Sequence, residues 1–244
     1  MALTAILLVG CSKDEGKNKT QELENHEQAQ YEKYVTPEVE GVLEKLGSTI
    51  HRGITPPNVE GYYLLYPKCI KTTVQNDSWL GSSNFFDHYK RFYDQKDLNL
   101  RLTSFEHGDY MVKHIGDGAF ISGEGDKFSI LFEEVNIVKR ISKTYRQTVL
   151  TIYTAELARN QSGEVTGLKD FKYVLYMKDN DGDPNSIPNN TGRLFIPSSK
   201  ASNSMVGVVS KTKFDDIASK FGSESAAAVI RGGLLSFISA SAAK

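Results

Sequence analysis

Three aspartates that alternate along one short stretch are the first residues whose spacing suggests chemistry. Asp179, Asp181 and Asp183 lie in "DNDGDPNSIPNN" and place carboxylate oxygens as calcium-binding loops do. An EF-hand loop needs glycine at its sixth position and a bidentate glutamate at its twelfth, where this stretch has Pro184 and Asn190. A polar hairpin loop that uses Asp, Gly and Pro in its turns explains the same residues. The sequence therefore predicts no metal site and leaves these aspartates only as a calcium candidate.

Histidines and serines show no catalytic or zinc-binding spacing. The histidines are His26, His51, His88, His107 and His114, and no two are separated as in H-x-H or H-x-x-x-H motifs. The nucleophile motif G-x-S-x-G is absent, and neither "GDG" nor "SGEG" is followed by a predicted helix that could bind phosphate. We therefore expect a non-catalytic protein without a cofactor.

Aromatic side chains are concentrated in "GYYLLY" and "NFFDHYKRFYDQ". Alternate residues of a barrel strand point inward, so some of these rings, and others further along the chain, would line an interior. The candidate lining residues are Tyr63, Phe86, Phe92, Phe128, Phe132 and Tyr153. A barrel of moderate size either fills its interior with such rings or leaves room for one small hydrophobic ligand. The sequence leaves both alternatives open.

A cysteine near the start of the chain offers covalent chemistry of another kind. Residues 2–10 are apolar and small, like the hydrophobic region of a secretory signal, and lead into L-V-G-C. This block resembles a bacterial lipobox, in which the cysteine thiol takes a diacylglycerol and the new amino group is acylated after cleavage. Two or more acyl chains anchor a protein stably to a membrane. We therefore predict a lipoprotein signal peptide over residues 1–11 and lipidation at Cys11.

The residues after this cysteine change abruptly to charge. "SKDE" resembles the export signal, rich in Lys, Asp and Glu, that follows the lipidated cysteine in surface lipoproteins of Bacteroidota, which implies display on the cell surface. The alternative is a solvated tether without an address. Residues 12–35 are polar, and we predict a tether there because the segment cannot bury a core. No Lys or Arg precedes the apolar run, in contrast to most secretory signals.

Composition argues against several kinds of partner. A formal net charge of -1 argues against nucleic acid, because phosphate binding needs concentrated Lys and Arg. No run of about eighteen or more apolar residues occurs, so we predict no membrane-spanning helix.

With Cys11 lipidated, Cys69 has no disulfide partner, and its apolar surroundings in "YYLLYPKCI" predict a buried thiol.

The elements that must position these residues are mostly strands. Val149, Thr151 and Tyr153 alternate with Leu150 and Ile152, as in antiparallel sheet with one core-like face. The predicted strands, separated by Gly-, Asp- and Asn-rich turns, are Tyr62–Ile70, Asn84–Tyr93, Leu98–Phe105, Tyr110–Ile115, Ala119–Gly123, Lys127–Val138, Tyr145–Glu156, Asp170–Met177 and Gly192–Ile196. A meander of about eight or nine strands predicts a mainly β domain that closes into a barrel, with a β-sandwich as the alternative.

Helical patterns flank this β domain, which we assign to residues 59–197. "TPEVEGVLEKLG" has a capping Thr36, Pro37 in the first turn and Gly47 as a stop, so residues 36–58 are predicted to be a short helix and a Pro-rich lead-in. Residues 198–244 are predicted to be a linker and C-terminal helices, because "KFDDIASKFG" places Phe214 and Ile217 at helical spacing.

Three segments resemble a group of uncharacterised Bacteroidota surface lipoproteins: "LEKLGSTIHRGITPPNVEGYYLLYP", "GAFISGEGDKFSILFE" and "YVLYMKDNDGDPNSIPNNTGRLF". They cover much of residues 43–196. The resemblance implies a lipid-anchored β domain similar to lipocalin or calycin barrels, and it implies no activity.

Together these observations predict an outer-membrane lipoprotein, tethered through Cys11 and exposed at the cell surface, with a non-catalytic binding role. Its partners would be the membrane, through the lipid anchor, and a small hydrophobic ligand inside the barrel. The alternative is a structural or accessory subunit of a cell-envelope complex that uses the barrel exterior and the C-terminal tail. An enzyme is the third hypothesis.

Overall fold

The computed structural model describes residues 13–85, 87–107, 112–140, 143–198 and 205–219. Their elements follow one another as α1 (Lys13–Tyr34), α2 (Pro37–Leu46), β1 (Ile54–Thr55), β2 (Gly61–Leu65), β3 (Pro67–Thr72), β4 (Asp87–Lys96), β5 (Asn99–His107), β6 (Val112–Glu124), β7 (Lys127–Lys139), β8 (Thr144–Arg159), β9 (Val165–Asp179), β10 (Thr191–Pro197), β11 (Val206–Val208) and α3 (Lys211–Ser219).

The sheet closes on itself to form an antiparallel barrel. Strands β2 and β4 to β9 pair in sequence order, and β11 hydrogen-bonds to both β9 and β2 and so completes a ring of eight strands. Strand β10 pairs with residues 173–177 of β9, beyond the part of β9 that pairs with β11. Strand β3 follows β2 directly in the chain and pairs with β10. The predicted mainly β fold with a closed, calycin-like barrel is therefore confirmed, and the β-sandwich alternative is wrong.

The two ends of the barrel differ in their connections. Tight turns at residues 97–98, 125–126 and 160–164 join strands at one end, which we call the turn end. The longer connections at residues 73–86 and 180–190 lie at the opposite end, which we call the loop end. Strands β4, β8 and β10 begin at the loop end, so their first residues are nearest to it.

Both faces of the wall are buried over much of the sheet. The predicted alternation on β8 is confirmed, because Val149 and Tyr153 belong to the core inside the barrel while Leu150 and Ile152 belong to a second core outside it. Helices α1 and α2 cover this outer core, which extends across β6 to β10. On the other side, Phe214 and Ile217 of α3 pack against the outer face of β2 and β4.

The structure confirms the predicted capping residues of helix α2. The Thr36 hydroxyl accepts a hydrogen bond from the Val39 amide, and Gly47 ends the helix with a φ of 67°, a left-handed conformation that glycine adopts without steric cost. Below the helix, Gly192 of β10 lets the two backbones approach closely. A Cβ at Gly192 would lie 3.1 Å from a methyl carbon of Val42.

Helix α1 differs from the predicted tether. Lys13–Tyr34 is helical, and the ring of Tyr34 stacks on Phe120 with centroids 6.4 Å apart. The Glu27 carboxylate, which is almost completely buried, accepts hydrogen bonds from Arg52 and from the Ser122 hydroxyl at the barrel wall. Both the apolar contacts of Tyr34 and the polar contacts of Glu27 therefore hold this segment against the wall.

Several boundaries also differ from those predicted. The described part of the segment predicted at 110–115, residues 112–115, and the segment predicted at 119–123 belong to one long strand, β6, while the segment predicted at 62–70 is divided into β2 and β3. Strands β1 and β11 are too short to give a sequence signal. Within the described residues, no helix is both long and apolar enough to cross a bilayer. The predicted signal peptide with Cys11 and the end of the predicted C-terminal region, residues 220–244, lie outside the described residues.

Candidate binding site in the barrel

The predicted lining residues come together inside the barrel. Tyr63, Phe92, Phe128, Phe132 and Tyr153 are all buried in the interior core and lie on four strands, β2, β4, β7 and β8. Phe86 lies outside the described residues. The described members of the predicted set therefore share one interior cluster, and their role in lining a ligand site stays a prediction.

Tyr153 of β8 lies at the centre of the interior aromatic side chains. The surrounding rings are Phe92, Phe132, Phe171 and Tyr173, at centroid distances of 6.2, 5.5, 5.7 and 5.3 Å. Offset and tilted pairs at such distances are favourable beyond the burial of their area. Around Tyr153 the interior of the barrel is therefore filled by its own side chains.

A lysine also lies inside this aromatic core. Lys90 of β4 is 2 % exposed, and its Nζ donates hydrogen bonds to the hydroxyls of Tyr153 and Ser104 over 2.8 and 3.3 Å. The same Nζ lies 3.5 Å from Nδ1 of His88 and 4.6 Å from the centroid of the Tyr153 ring. We call His88, Lys90, Ser104 and Tyr153 the Lys90 cluster.

Burial of this ammonium group needs compensation, because a charge removed from water loses several kcal/mol of hydration. Hydroxyl acceptors and the faces of aromatic rings both stabilise a cation, and the ring contacts are worth on the order of 2 kcal/mol when water is excluded. Tyr153 supplies both kinds of contact, and Tyr173 adds a second ring 5.6 Å from Nζ. The Lys90 cluster is therefore a buried, hydrogen-bonded polar centre within the aromatic interior.

Inward-facing positions become polar and accessible toward the loop end. Glu134 and Asn136 of β7 are paired with Val149 and Gln147 of β8, whose side chains are buried, and paired residues share a face of the sheet. Glu134 and Asn136 are nevertheless half-exposed, whereas Phe132 is 3 % exposed. Solvent therefore reaches the barrel wall at the loop end, above the aromatic core.

Two amide groups at this end have unused hydrogen-bonding capacity. Gln147 donates from Nε2 to Ser186 and Asp183, but its buried Oε1 has no hydrogen-bond partner among the residues that the structure describes. The buried Nδ2 of Asn136, directly opposite in the ladder, also has none within that part of the chain. Buried polar groups are normally satisfied, so this donor and this acceptor mark a polar position of the barrel wall at the loop end.

The β3–β4 connection folds over the loop end of the barrel. Its Phe85 packs edge-on against Phe195 of β10 at 5.2 Å, and Trp79 packs on Phe85 at 5.0 Å. Asp77 from this connection accepts two hydrogen bonds from Arg193 of β10, at 2.7 and 2.8 Å. Burial alone would raise the pKa of the Asp77 carboxyl, but the hydrogen bonds and charge of Arg193 outweigh it and hold the pKa below its usual value.

The aspartates of the calcium candidate stabilise the β9–β10 loop by hydrogen bonds. Asp183 accepts from Arg140, Gln147 and Ser186, and Asp181 accepts from the Arg146 amide. Burial alone would raise the pKa of the Asp183 carboxyl. The hydrogen bonds from Arg140, the Asn185 amide and Ser186 outweigh this effect, so the pKa lies below its usual value. The Asp179 carboxylate accepts from the Asp181 amide, as in an Asx turn.

Within the described ranges no group of three or more His, Cys, Asp or Glu side chains converges on one point. The contacts of these three aspartates fit the polar-hairpin interpretation, in which the carboxylates form the turn. Because Asp183 also bonds to Arg140 of the β7–β8 connection, it joins two loops at the same end of the barrel.

Sequence reasoning missed the charged residues of the interior. Lys90 and Arg193 are both essentially buried, although charged side chains are usually assigned to the surface. A signal for Lys90 was present, because His88, Lys90 and Phe92 alternate along β4 and Phe92 was already predicted to face inward. No comparable signal marked Arg193, whose partner lies 116 positions away in the sequence.

Comparison with known proteins gives no relative from which a ligand can be inferred: no family model matches the chain, and no match was found among curated proteins or solved structures.

Proposed function

We propose that this protein is an outer-membrane-anchored lipoprotein whose barrel binds a small amphiphilic molecule without catalysing a reaction on it. The observation that carries the proposal is the interior itself, in which an aromatic core contains the buried Lys90 and leads, at the loop end, to buried amide atoms of Asn136 and Gln147 that have no hydrogen-bond partner among the described residues. A ligand site of this type is mainly apolar and has a few polar groups that fix orientation.

The site is assigned to the loop-end half of the barrel. Toward the turn end the inward positions are fully buried and apolar, including Phe128, Ala155 and Leu157. Toward the loop end, Glu134 and Asn136 face inward and reach solvent. A molecule that enters from the loop end would therefore meet polar groups first and the aromatic core beneath them.

The membrane anchor is supported by the sequence around Cys11, where Leu8, Val9 and Gly10 provide the lipobox-like block. Diacylation at this cysteine would hold the barrel beside a bilayer. The acidic and basic residues that follow it support display on the outer face of the outer membrane.

A role as a subunit of an envelope complex has less support. Large exposed hydrophobics among the described residues are Leu80, Val135 and Val208, which lie on three separate elements. Scattered residues of this kind are normal on a soluble surface and do not indicate a docking patch.

Two measurements test the proposal. Native mass spectrometry of the full chain purified from its host should detect a co-purifying small molecule, and recovery of the barrel without any bound molecule would count against ligand binding. For the anchor, the Cys11→Ser variant should move from the detergent phase to the aqueous phase on Triton X-114 partitioning. Equal partitioning of the variant and the unmodified sequence would defeat the lipid-anchor hypothesis.

A further inference from the structure

We propose that strand β7 is the interface of a homodimer, in which its edge facing β6 pairs antiparallel with β7 of a second copy of this chain. Main-chain hydrogen bonds between the two strands would join the sheets of two barrels into one. This inference goes beyond the proposed binding function and does not depend on it, because it uses the edge of the barrel wall and not the interior.

The barrel wall is divided between β6 and β7 toward the loop end. These two strands pair only over residues 120–124 and 127–131, next to the turn that connects them. Beyond this point, residues 112–119 pair with β5 and residues 132–139 pair with β8, and the described residues form no ladder between the two segments. Strand β6 has a bulge at Gly118, where φ is 81°, and a bulge bends its strand, which explains the separation.

The corresponding opening between β3 and β4 is covered, in contrast to this one. There the β3–β4 connection hydrogen-bonds to β3, because the Cys69 amide donates to Ser82 over 3.0 Å and the Gly81 amide donates to Cys69 over 2.9 Å. Within the described ranges, no segment covers the edge of β7 in this way, and Val135 in the middle of it is 47 % exposed. Such an edge presents main-chain groups with which another strand can pair.

The direction of the main-chain groups determines which residues of β7 a second strand can bond. The carbonyl of Asp126 accepts a hydrogen bond from the Leu157 amide of β8. Main-chain groups alternate in direction along a strand, so those of even-numbered residues point to β8 and those of odd-numbered residues point to β6. Beyond the last pair with β6, the groups on the β6 side belong to residues 133, 135, 137 and 139.

The sequence of this edge is complementary to itself in one antiparallel register. A two-fold axis at Asn136 brings residues 133 and 139 opposite each other, and the main-chain groups of both point to the shared edge, as antiparallel pairing requires. Glu133 of each copy then lies opposite Lys139 of the other, and directly opposite charges stabilise a sheet. Val135 lies opposite Ile137, and both residue types favour strands.

Other registers lose this complementarity. An axis at residue 135 brings residue 133 opposite 137, and an axis at residue 137 brings it opposite 141, so neither places Glu133 opposite a lysine. An axis between two residues would oppose groups that point to the edge with groups that point to β8. The axis at Asn136 is therefore the register that the charges of β7 favour.

An unsatisfied donor lies on the proposed axis. The buried Nδ2 of Asn136 has no hydrogen-bond partner among the described residues. On the axis, Asn136 would lie opposite its own copy in a non-hydrogen-bonded pair, in which the two Cα atoms are about 4.5 Å apart. Side chains meet at this separation, so each amide can donate from Nδ2 to Oδ1 of the other. The second copy would thereby satisfy a donor that buried polar groups normally have paired.

Charge also favours a second copy over an unrelated extended peptide. Glu133 and Glu134 place two acidic residues on the segment of β7 that has left β6, and charged side chains on an edge discourage the addition of strands. A partner therefore needs a cation opposite Glu133. Strand β7 itself supplies one in Lys139, which an arbitrary peptide does not.

The assembly state of the full chain carrying only Cys11→Ser is the first test, because this substitution prevents lipid attachment. Sedimentation velocity over a range of protein concentrations should show a monomer–dimer equilibrium whose larger species has twice the mass of the chain. A protein that stays monomeric up to its solubility limit would overturn the proposal.

Exchanging charges tests the register. In a symmetric dimer, Glu133→Lys and Lys139→Glu each create two pairs of opposed like charges, and each should raise the dimer Kd at least about 10-fold. An equimolar mixture of the two variants should dimerise as well as the parent, because every lysine at these positions then faces a glutamate. Native mass spectrometry identifies the heterodimer by its mass.

The matched control for the charge exchange is Lys178→Met, which removes the ion pair between Lys178 and Glu133 within one chain and leaves the charges of the β7 edge in place. It should dimerise like the parent. Unchanged dimerisation of Glu133→Lys and Lys139→Glu, or a mixture of the two that stays monomeric, would overturn the proposed pairing.

A disulfide across the axis tests the same interface without a change of charge. Asn136→Cys in the Cys11→Ser chain should give an intermolecular disulfide with oxidised glutathione, because Cα atoms about 4.5 Å apart lie within the range that a disulfide spans. The matched control is Ser162→Cys in the exposed turn at the opposite end of the barrel, which should give far less covalent dimer. Equal cross-linking of the two variants, or none at Asn136→Cys, would overturn the proposal, and this test decides if a charge variant does not fold.

Discussion

Arg193 of β10 and Asp77 of the β3–β4 connection form a two-bond ion pair in which both side chains are essentially removed from solvent, at 0 % and 1 % exposure. Asp77 also accepts from the Thr72 hydroxyl and from the Trp79 amide, so its carboxylate organises the connection as well as neutralising the arginine. The pair thereby fixes the segment that covers the loop end of the barrel.

Asp77→Asn should destabilise the protein by about 3–5 kcal/mol, because it leaves the guanidinium of Arg193 buried without its negative partner. Urea unfolding followed by circular dichroism measures the change. The matched control is Asp215→Asn, which removes an exposed ion pair to Lys211 on α3 and should produce no measurable change. Similar losses of unfolding free energy in the two variants would show that burial of the Asp77–Arg193 pair does not determine its contribution to stability.

Acid should loosen the loop end of the barrel before the strands unfold. The folded pKa values of Asp77 and Asp183 lie below their ordinary values, so the stabilisation from these carboxylates is fully present above the unfolded pKa of about 3.9. As the pH falls from there through the lower folded values, the carboxylates bind protons and that stabilisation is lost.

Free energies of unfolding measured at pH 7, 5 and 3 should therefore be similar at the first two values and lower at the third. The decrease from pH 5 to pH 3 should be smaller in Asp77→Asn, since the asparagine does not titrate. An equally steep decrease in this variant would assign the acid sensitivity to other carboxylates.

The sequence was most informative where the local pattern and the tertiary structure agree. Helix α2 was predicted from its caps because Thr36 and Gly47 satisfy the helix ends locally. Strands β7 and β8 were predicted from alternation, and the structure places the two alternating sets in separate cores. Closure through β11 could not be predicted, because three residues at 206–208 give no periodicity and their partners lie far away in the chain.

The candidate site was only partly predictable for a different reason. Apolar periodicity identified aromatic residues such as Phe92 and Tyr153, but it treats each charged residue as a surface residue. Lys90 and Arg193 are buried by long-range contacts that only the closed barrel creates. The charges that give the interior its chemistry therefore became visible only in three dimensions.

Whether residues 13–34 form a helix attached to the barrel or a solvated tether can be tested through Glu27. Glu27 accepts from Arg52 and Ser122, and these bonds outweigh the effect of burial and lower the pKa of its carboxyl. Glu27→Gln should weaken the attachment of α1 to the barrel by about 1–3 kcal/mol, because a charged acceptor is replaced by a neutral one that also carries a donor. Hydrogen exchange of peptides from Lys13–Tyr34 should accelerate while exchange in β8 stays slow.

Glu24→Gln is the matched control for this prediction, since Glu24 lies one turn earlier on the same helix and is exposed. Its exchange should match that of the unsubstituted chain. If α1 already exchanges as fast as an unstructured peptide in the parent protein, the segment is a tether in solution, as the sequence alone suggested.

Cys69 should behave as an inert structural thiol in the folded protein. Burial raises its pKa to about 11, so at pH 8 only about one molecule in a thousand carries the reactive thiolate. In the full chain with Cys11→Ser, Cys69 is the remaining cysteine, and iodoacetamide should modify it only after urea unfolds the barrel.

The positive control adds Ser162→Cys in the exposed β8–β9 turn, which should react rapidly and give one modified thiol in the folded state. Rapid modification of both thiols, counted by mass spectrometry, would show that the interior around β3 and β10 opens to reagents and is not a closed core.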